Sequence, residues 1–111
     1  MVTRPDPRRG EVYLVALGET HGHEIRKTRL ALIVSPDEMH RYSRLVIIAP
    51  MTSEGSPAPF RVDCRFKGRP GRVLLDQLRA VDRTRLIRPL GKLTPAVQRQ
   101  VFSVLQEMFS P

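Results

Sequence analysis

The sequence predicts a mainly-β domain, a small antiparallel barrel or strongly curved sheet closed by one C-terminal helix. Three observations lead there. Five to seven short runs are rich in β-branched and other apolar residues and are punctuated by glycine and proline. Nothing alternates strand with helix in the manner of a parallel sheet. One convincing stretch, at the end of the chain, repeats its apolar residues at helical spacing. At 111 residues the chain accommodates a single core.

Taken in order, residues 1–9 read as a flexible basic arm, with two prolines and three arginines between Thr3 and Arg9, and residues 10–111 as one domain. Residues 11–17 (EVYLVAL) are dense in strand formers and suit a strand buried on most of both faces. Residues 18–28 are a loop with two glycines. Residues 29–35 form the second strand, stopped by Pro36, which has no amide hydrogen to give a ladder. Ser35, Pro36, Asp37 and Glu38 supply a cap, a first-position proline and first-turn acids for a short helix to about Arg41. Residues 45–49 (LVIIA) are apolar and β-branched, a central strand that ends in Pro50, Met51, Thr52 and Ser53.

Residues 54–59, with Gly55 and two prolines, form a loop. Over residues 60–66, Phe60, Val62, Cys64 and Phe66 alternate with Arg61, Asp63 and Arg65, the period of a half-buried strand, so Cys64 faces the core. Residues 68–71 are a turn. Residues 72–78 (RVLLDQL) are a further strand, with Asp76 and Gln77 a polar interruption near its end. Residues 81–87 suit one short helical turn, and residues 88–93, holding Pro89 and Gly91, an edge strand. Thr94 and Pro95 then cap and open the helix. Val97, Val101, Val104, Leu105 and Met108 define its apolar stripe, and Phe102 and Phe109 flank that stripe where a subunit interface would extend it.

The net charge is +8, and it is uneven: residues 1–60 carry eight basic and seven acidic side chains, residues 61–92 ten and three. A field of that kind favours polyanions, nucleic acid first and an acidic protein segment second. The single cysteine excludes an internal disulfide and a cysteine-rich zinc site. No run approaches the roughly 20 apolar residues of a membrane span, and the start lacks the apolar centre of a signal peptide, so a cytoplasmic location is expected. His21 and His40 read as surface residues and form no metal-ligand pattern with His23, so no metal or other cofactor is expected.

The densest chemistry lies in residues 22–29 (GHEIRKTR), where an imidazole, a carboxylate and three cations lie within eight positions at the mouth of an apolar strand. Rigid strands commonly carry functional loops in this way. Five blocks then resemble the MazF/PemK/Kid toxins of toxin–antitoxin systems. They are Arg9 to Val15 (RGEVYLV), Gly22-His23-Glu24 with Lys27-Thr28-Arg29, Ala49 to Ser53 (APMTS), Leu75 to Arg79 (LDQLR), and Asp82 to Leu86 (DRTRL). The resemblance as a whole runs from about Arg9 to Met108.

The resemblance implies an SH3-like, CcdB/PemK-type barrel, a homodimer, and a metal-independent endoribonuclease that cuts single-stranded RNA, whether mRNA, tRNA or rRNA. It also implies a cognate antitoxin whose acidic, disordered C-terminal tail covers the RNA groove. Residue by residue, the family's main catalytic arginine falls on Arg29 and its catalytic threonine on Thr52. A histidine and an aspartate of the PemK/Kid branch fall on His23 and Asp76, and a glutamate of the MazF branch on Glu24. Lys27, Ser53, Arg65, Lys67, Arg69, Arg72, Gln77 and Arg79 are expected to contact RNA, mostly its phosphates. Arg83 and Arg85 would do the same, and Arg79, Arg83 and Arg85 are alternatively expected to bind the antitoxin. Two positions depart from the family: Leu30 stands where a proline commonly follows the arginine, and Leu74 where the PemK/Kid branch has a second arginine two positions before its aspartate.

The chemistry implied is attack of a 2'-hydroxyl on the adjacent phosphate. It needs a base for the 2'-proton, an acid for the 5'-oxygen and donors to the charged phosphorane, and it leaves a 2',3'-cyclic phosphate and a 5'-hydroxyl. Arg29 offers a planar, permanently charged fork, and Thr52 a hydroxyl. Between His23 and Glu24, imidazole is better matched to neutral pH. Two other readings stand beside this one: a CcdB-like gyrase poison on the same fold, which depends on an aromatic C-terminal tail where this chain has Met108-Phe109-Ser110-Pro111, and a non-catalytic RNA-binding barrel.

Overall fold

The computed structural model describes residues 5–18 and 27–111. Seven strands and two helices follow the order β1 (Glu11–Ala16), β2 (Thr28–Ile33), α1 (Met39–Tyr42), β3 (Leu45–Thr52), β4 (Arg61–Phe66), β5 (Arg69–Leu74), β6 (Arg79–Asp82), β7 (Leu86–Lys92) and α2 (Pro95–Phe109). The strands make one curled antiparallel sheet in the order β4-β5-β3-β2-β1-β7, with β6 also paired to β3. The mainly-β class with one substantial C-terminal helix is the one expected.

Strand β3 is the hinge of the curl. Its first half pairs with β6 from Leu45 to Ile48, and its end pairs with β5 at Met51 and Thr52. Pro50 falls in the gap between those two partners, which is how a proline sits inside a strand that runs three residues past the expected end at Ala49.

Alternation splits the core into two apolar layers. Tyr13, Val15, Ala31, Ile33, Val46, Ile48, Val81 and Leu86 form one layer. Val12, Leu32, Ala49, Met51, Val62, Cys64, Val73 and Leu75 fill the opposite face, which α2 covers with Val97, Val101, Phe102, Val104 and Leu105. Thr94 caps α2 as expected, its Oγ1 accepting from Val97 N at 3.3 Å. Met108, placed on the stripe by its spacing, is 39% exposed.

Several local expectations are corrected. The turn between β4 and β5 is Lys67-Gly68, both at positive φ (51° and 80°), so Arg69 and Pro70 belong to the strand. Leu75–Gln77 is a 3-10 turn and not the end of a strand; the expected helical turn over residues 81–87 shrinks to Arg83–Arg85, between β6 and β7. Among the described residues strand β7 pairs with β1 alone, so its proline lies on an edge, as expected.

Ser35 does not cap α1. Its Oγ is buried, accepts from Ile47 N at 3.0 Å, and lies 2.6 Å from Nε2 of His40. His40 is therefore no surface residue: it is 1% exposed, with Nδ1 2.6 Å from the carbonyl oxygen of Pro7. Of the arm expected over residues 1–9, Asp6 to Arg9 touch the domain at several points. Asp6 pairs with Arg83 at 2.7 Å and Arg8 with Asp37 at 3.3 Å. Arg9 donates Nε to Val34 O at 2.9 Å and lies 4.3 Å over the Phe102 ring.

Candidate active site

Arg29 opens β2 and Thr52 ends β3. The ladder between those strands runs Ile33 opposite Ile48, Leu32 opposite Ala49 and Ala31 opposite Pro50. Continuing that register past Ala31 brings Arg29 level with Thr52, so two residues far apart in sequence meet at one sheet end. Leu30 is a regular ladder position opposite Leu14, so the strand accepts it where the family commonly has proline.

Arg29 and Thr52 line a cleft of about 580 Å³ together with Ser53, Glu54, Lys67, Arg69 and Gly71. Its floor is apolar: Leu30, Met51, Cys64, Phe66, Pro70 and Leu90. The two-residue turn at Lys67-Gly68 folds Lys67 and Arg69 over this floor. Gly71 lets β5 lie close against the end of β3, because a Cβ there would lie 3.1 Å from the Thr52 carbonyl oxygen. Arg29, Ser53, Lys67 and Arg69 are exposed and Thr52 half-buried. Among the described residues Arg29 has no ion-pair partner. Thr52 Oγ1 accepts from Glu54 N at 3.1 Å, which leaves its hydroxyl hydrogen to donate into the cleft. A guanidinium, a hydroxyl and two further cations over an apolar floor suit a phosphate with a base beside it.

His23 and Glu24 lie outside the described residues, as does His21. Lys27 is exposed at the base of that loop, its carbonyl accepting from Leu17 N and Gly18 N at 3.0 and 3.2 Å. Glu54 is a residue the sequence reasoning missed, and among the described residues it is the cleft's one carboxylate. Its place directly after Thr52-Ser53 was the available signal. Cys64 faces inward as expected and adds to the cleft floor; burial, then the neighbouring Asp63 charge, pushes its thiol pKa up and keeps it protonated at neutral pH.

Asp76, Gln77 and Arg79 do not line the cleft. Asp76 is held by both arms of Arg61, with Nη2 3.1 Å from Oδ2 and Nε 3.3 Å from Oδ1. Arg61 stands directly opposite Leu74 across the β4–β5 ladder. Asp76 thus meets a guanidinium from the neighbouring strand, although Leu74 offers none. Hydrogen bonding from Arg61 is the main cause that holds the Asp76 carboxyl below its ordinary pKa, against a smaller opposing effect of burial.

A stability consequence follows. Because the folded-state pKa of Asp76 is lowered, its contribution is present at neutral pH, above the ordinary value of 3.8, and is lost as acidification reaches the folded value. Thermal melts of the native protein and of Asp76→Asn are expected to differ most near neutral pH and to converge below about pH 4. A gap that widens on acidification would show the opposite sign.

Of the residues expected to contact phosphate, Arg65 donates to Gly68 O at 2.9 Å, and Arg72 donates to Gly55 O at 2.8 Å. Arg72 Nε is also 3.0 Å from Asp63 Oδ1, a charge contact without hydrogen-bond alignment. Among the described residues no three His, Cys, Asp or Glu side chains gather as a metal site, and no helix is long and apolar enough to cross a membrane.

Comparison with known proteins gives one family. The model of the PemK-like, MazF-like toxin of type II toxin-antitoxin systems matches residues 8–109. The endoribonuclease PemK of Escherichia coli is 40% identical over 84 residues, which span 71% of this chain and 63% of that protein, just under two thirds of its length. The MazE-MazF complex of Deinococcus radiodurans contains a chain that superposes with a TM-score of 0.82 at 28% identity, covering 95% of this chain and 96% of that one. An endoribonuclease in complex with its cognate antitoxin, from a mycobacterial species, superposes at 0.80 with 25% identity over 95% and 97%.

Proposed function

This chain belongs to the PemK-like, MazF-like toxins of type II toxin–antitoxin systems, and from that premise we propose that it is a sequence-specific, metal-independent endoribonuclease acting on single-stranded RNA. The observation that carries the proposal is the convergence of Arg29 and Thr52, from the start of one strand and the end of another, on one cationic cleft.

In this reading the scissile phosphate sits between the Arg29 guanidinium and the Thr52 hydroxyl. Arg29 binds the non-bridging oxygens and gains strength as charge develops on the phosphorane. Thr52, half-buried and tied to Glu54 N, holds the phosphate in register. The 2'-hydroxyl attacks, the 5'-oxygen leaves, and the products end in a 2',3'-cyclic phosphate and a 5'-hydroxyl. His23 is the proposed base that takes the 2'-proton, with Glu24 and Glu54 as carboxylates that orient it or relay a proton to the leaving 5'-oxygen. Lys67 and Arg69 receive the flanking phosphates, and Phe66 offers a ring on which a base stacks. Asp76, kept ionised by Arg61, is placed in a positioning role. The proposed partners are a cognate antitoxin whose acidic tail competes for the same cations, and a second copy of the chain; the proposed location is the cytoplasm.

The test is incubation of the purified protein with a long, weakly structured RNA in EDTA and, separately, in magnesium. Discrete cuts with 5'-hydroxyl ends in both conditions are expected. Cleavage that appears in magnesium alone would remove the metal-independent mechanism. RNA left intact in both would remove the nuclease assignment and turn attention to binding.

A further inference from the structure

Residues 53–59 leave Thr52 without helix or strand, yet Ser53 and Glu54 at their start line the cleft. Two arginines from the neighbouring hairpin fasten this loop at successive carbonyls. Arg72 Nη1 donates to Gly55 O at 2.8 Å, and Arg61 Nη1 to Ser56 O at 3.1 Å. A carboxylate braces each arginine from behind, Asp63 beside Arg72 at 3.0 Å and Asp76 against Arg61 at 3.1 Å. Gly55 has φ +101°, and a Cβ there would meet Arg61 Nη1 at 3.3 Å, so the bare backbone is what lets the guanidinium close in.

The arrangement is unlike its surroundings. In a segment with ten basic and three acidic residues, two arginines turn from solvent and are neutralised by two of those three acids. The β4–β5 hairpin does not need them, since six residue pairs already hold it. Each gives its Nη1 donor to this one loop and turns its Nε to its carboxylate. We infer that Arg61 and Arg72, braced by Asp76 and Asp63, are positioning residues that hold residues 53–59 as a fixed wall of the cleft, and that this wall selects the nucleotide seated beside the scissile phosphate. The inference rests on the nuclease reading above. A fixed wall rejects a wrong base because it cannot move to accommodate it, whereas a released loop adapts and accepts more sequences. Arg29 and Thr52 stand on strands and stay where they are.

The experiment compares native protein with Arg61→Gln and with Asp63→Asn on a random-sequence RNA pool, with cut sites read by sequencing and melting temperature measured alongside. Asp63 is 78% exposed, so its replacement withdraws one brace without touching the core. Discrimination between the best sequence and its single-base variants is expected to fall roughly tenfold or more, the scale a single contact commonly carries. Cutting at the best sequence continues. Arg61→Lys, which keeps the charge but cannot hold both Asp76 and Ser56 O, is expected to broaden the spectrum as Arg61→Gln does. An unchanged spectrum in folded variants that still cut overturns the inference, whatever happens to the melting temperature. RNA left intact by the native protein overturns the nuclease reading and this inference together.

Discussion

Replacing Arg29 by alanine is expected to lower kcat on RNA by about 10²–10³-fold, the loss of roughly 3–4 kcal/mol that follows removal of one preorganised donor to a developing oxyanion. The fold should not notice. Arg29 is exposed at the first turn of the ladder, and the core of β2 begins two residues later at Ala31. Surface changes of this kind usually stay within about 0.5 kcal/mol of stability. Binding should weaken far less than turnover, because Lys67 and Arg69 remain on the cleft to hold phosphate. The salt dependence of binding should lose about one phosphate contact from its slope. Single-turnover kinetics with an uncleavable 2'-deoxy analogue as the binding control separate the two effects. A variant that binds the analogue tenfold more weakly yet cuts at the native single-turnover rate would place Arg29 in binding and not in the chemical step. Arg29→Lys, which keeps charge without the fork, should recover only part of the rate.

The candidate pair Arg29 and Thr52 was legible in the sequence because the family blocks that carry it are local: Lys27-Thr28-Arg29 and Ala49 to Ser53 are contiguous runs. The mainly-β class was legible because period-two alternation, as in residues 60–66, records burial directly. What crosses strands was not. The partner of Asp76 comes from a register, Arg61 opposite Leu74, that no local pattern encodes, so the loss of arginine at position 74 looked like the loss of the guanidinium itself. Arg72 fits a cationic run in sequence and turns inward because Gly55 O and Asp63 lie beside it in space. Pro70 looked like part of a turn because proline usually breaks ladders, yet it sits in β5 opposite Arg65, on a strand pair whose turn had already been made by Lys67 and Gly68. Ser35 before Pro36 had every mark of a helix cap, and the signal misled because its hydroxyl is claimed by a buried histidine.

That histidine gives the largest expected effect on stability. His40 bridges three parts of the chain: the arm through Pro7 O, the end of β2 through Ser35, and, by way of its own carbonyl, Arg83 at 3.0 Å. The bonding assigns the tautomer. Pro7 O only accepts, so Nδ1 carries the hydrogen, and Ser35, whose Oγ already accepts from Ile47 N, donates its hydroxyl to Nε2. His40→Ala removes a wholly buried ring and strands two buried polar atoms, the Pro7 carbonyl and the Ser35 hydroxyl. Cavity and unpaired groups together are expected to cost about 2–4 kcal/mol, a fall in Tm of roughly 10–20 °C for a domain of this size. Ser35→Ala should cost less, since it leaves Nε2 and the Ile47 amide unpaired but opens little volume. With the Pro7 anchor gone, the exposed bonds after Arg8 and Arg9 should also be cut faster by trypsin at temperatures where the core remains folded. A His40→Ala protein that melts within a few degrees of the native one, with unchanged cutting at Arg8 and Arg9, would mean that the imidazole fills space without tying the arm to the sheet.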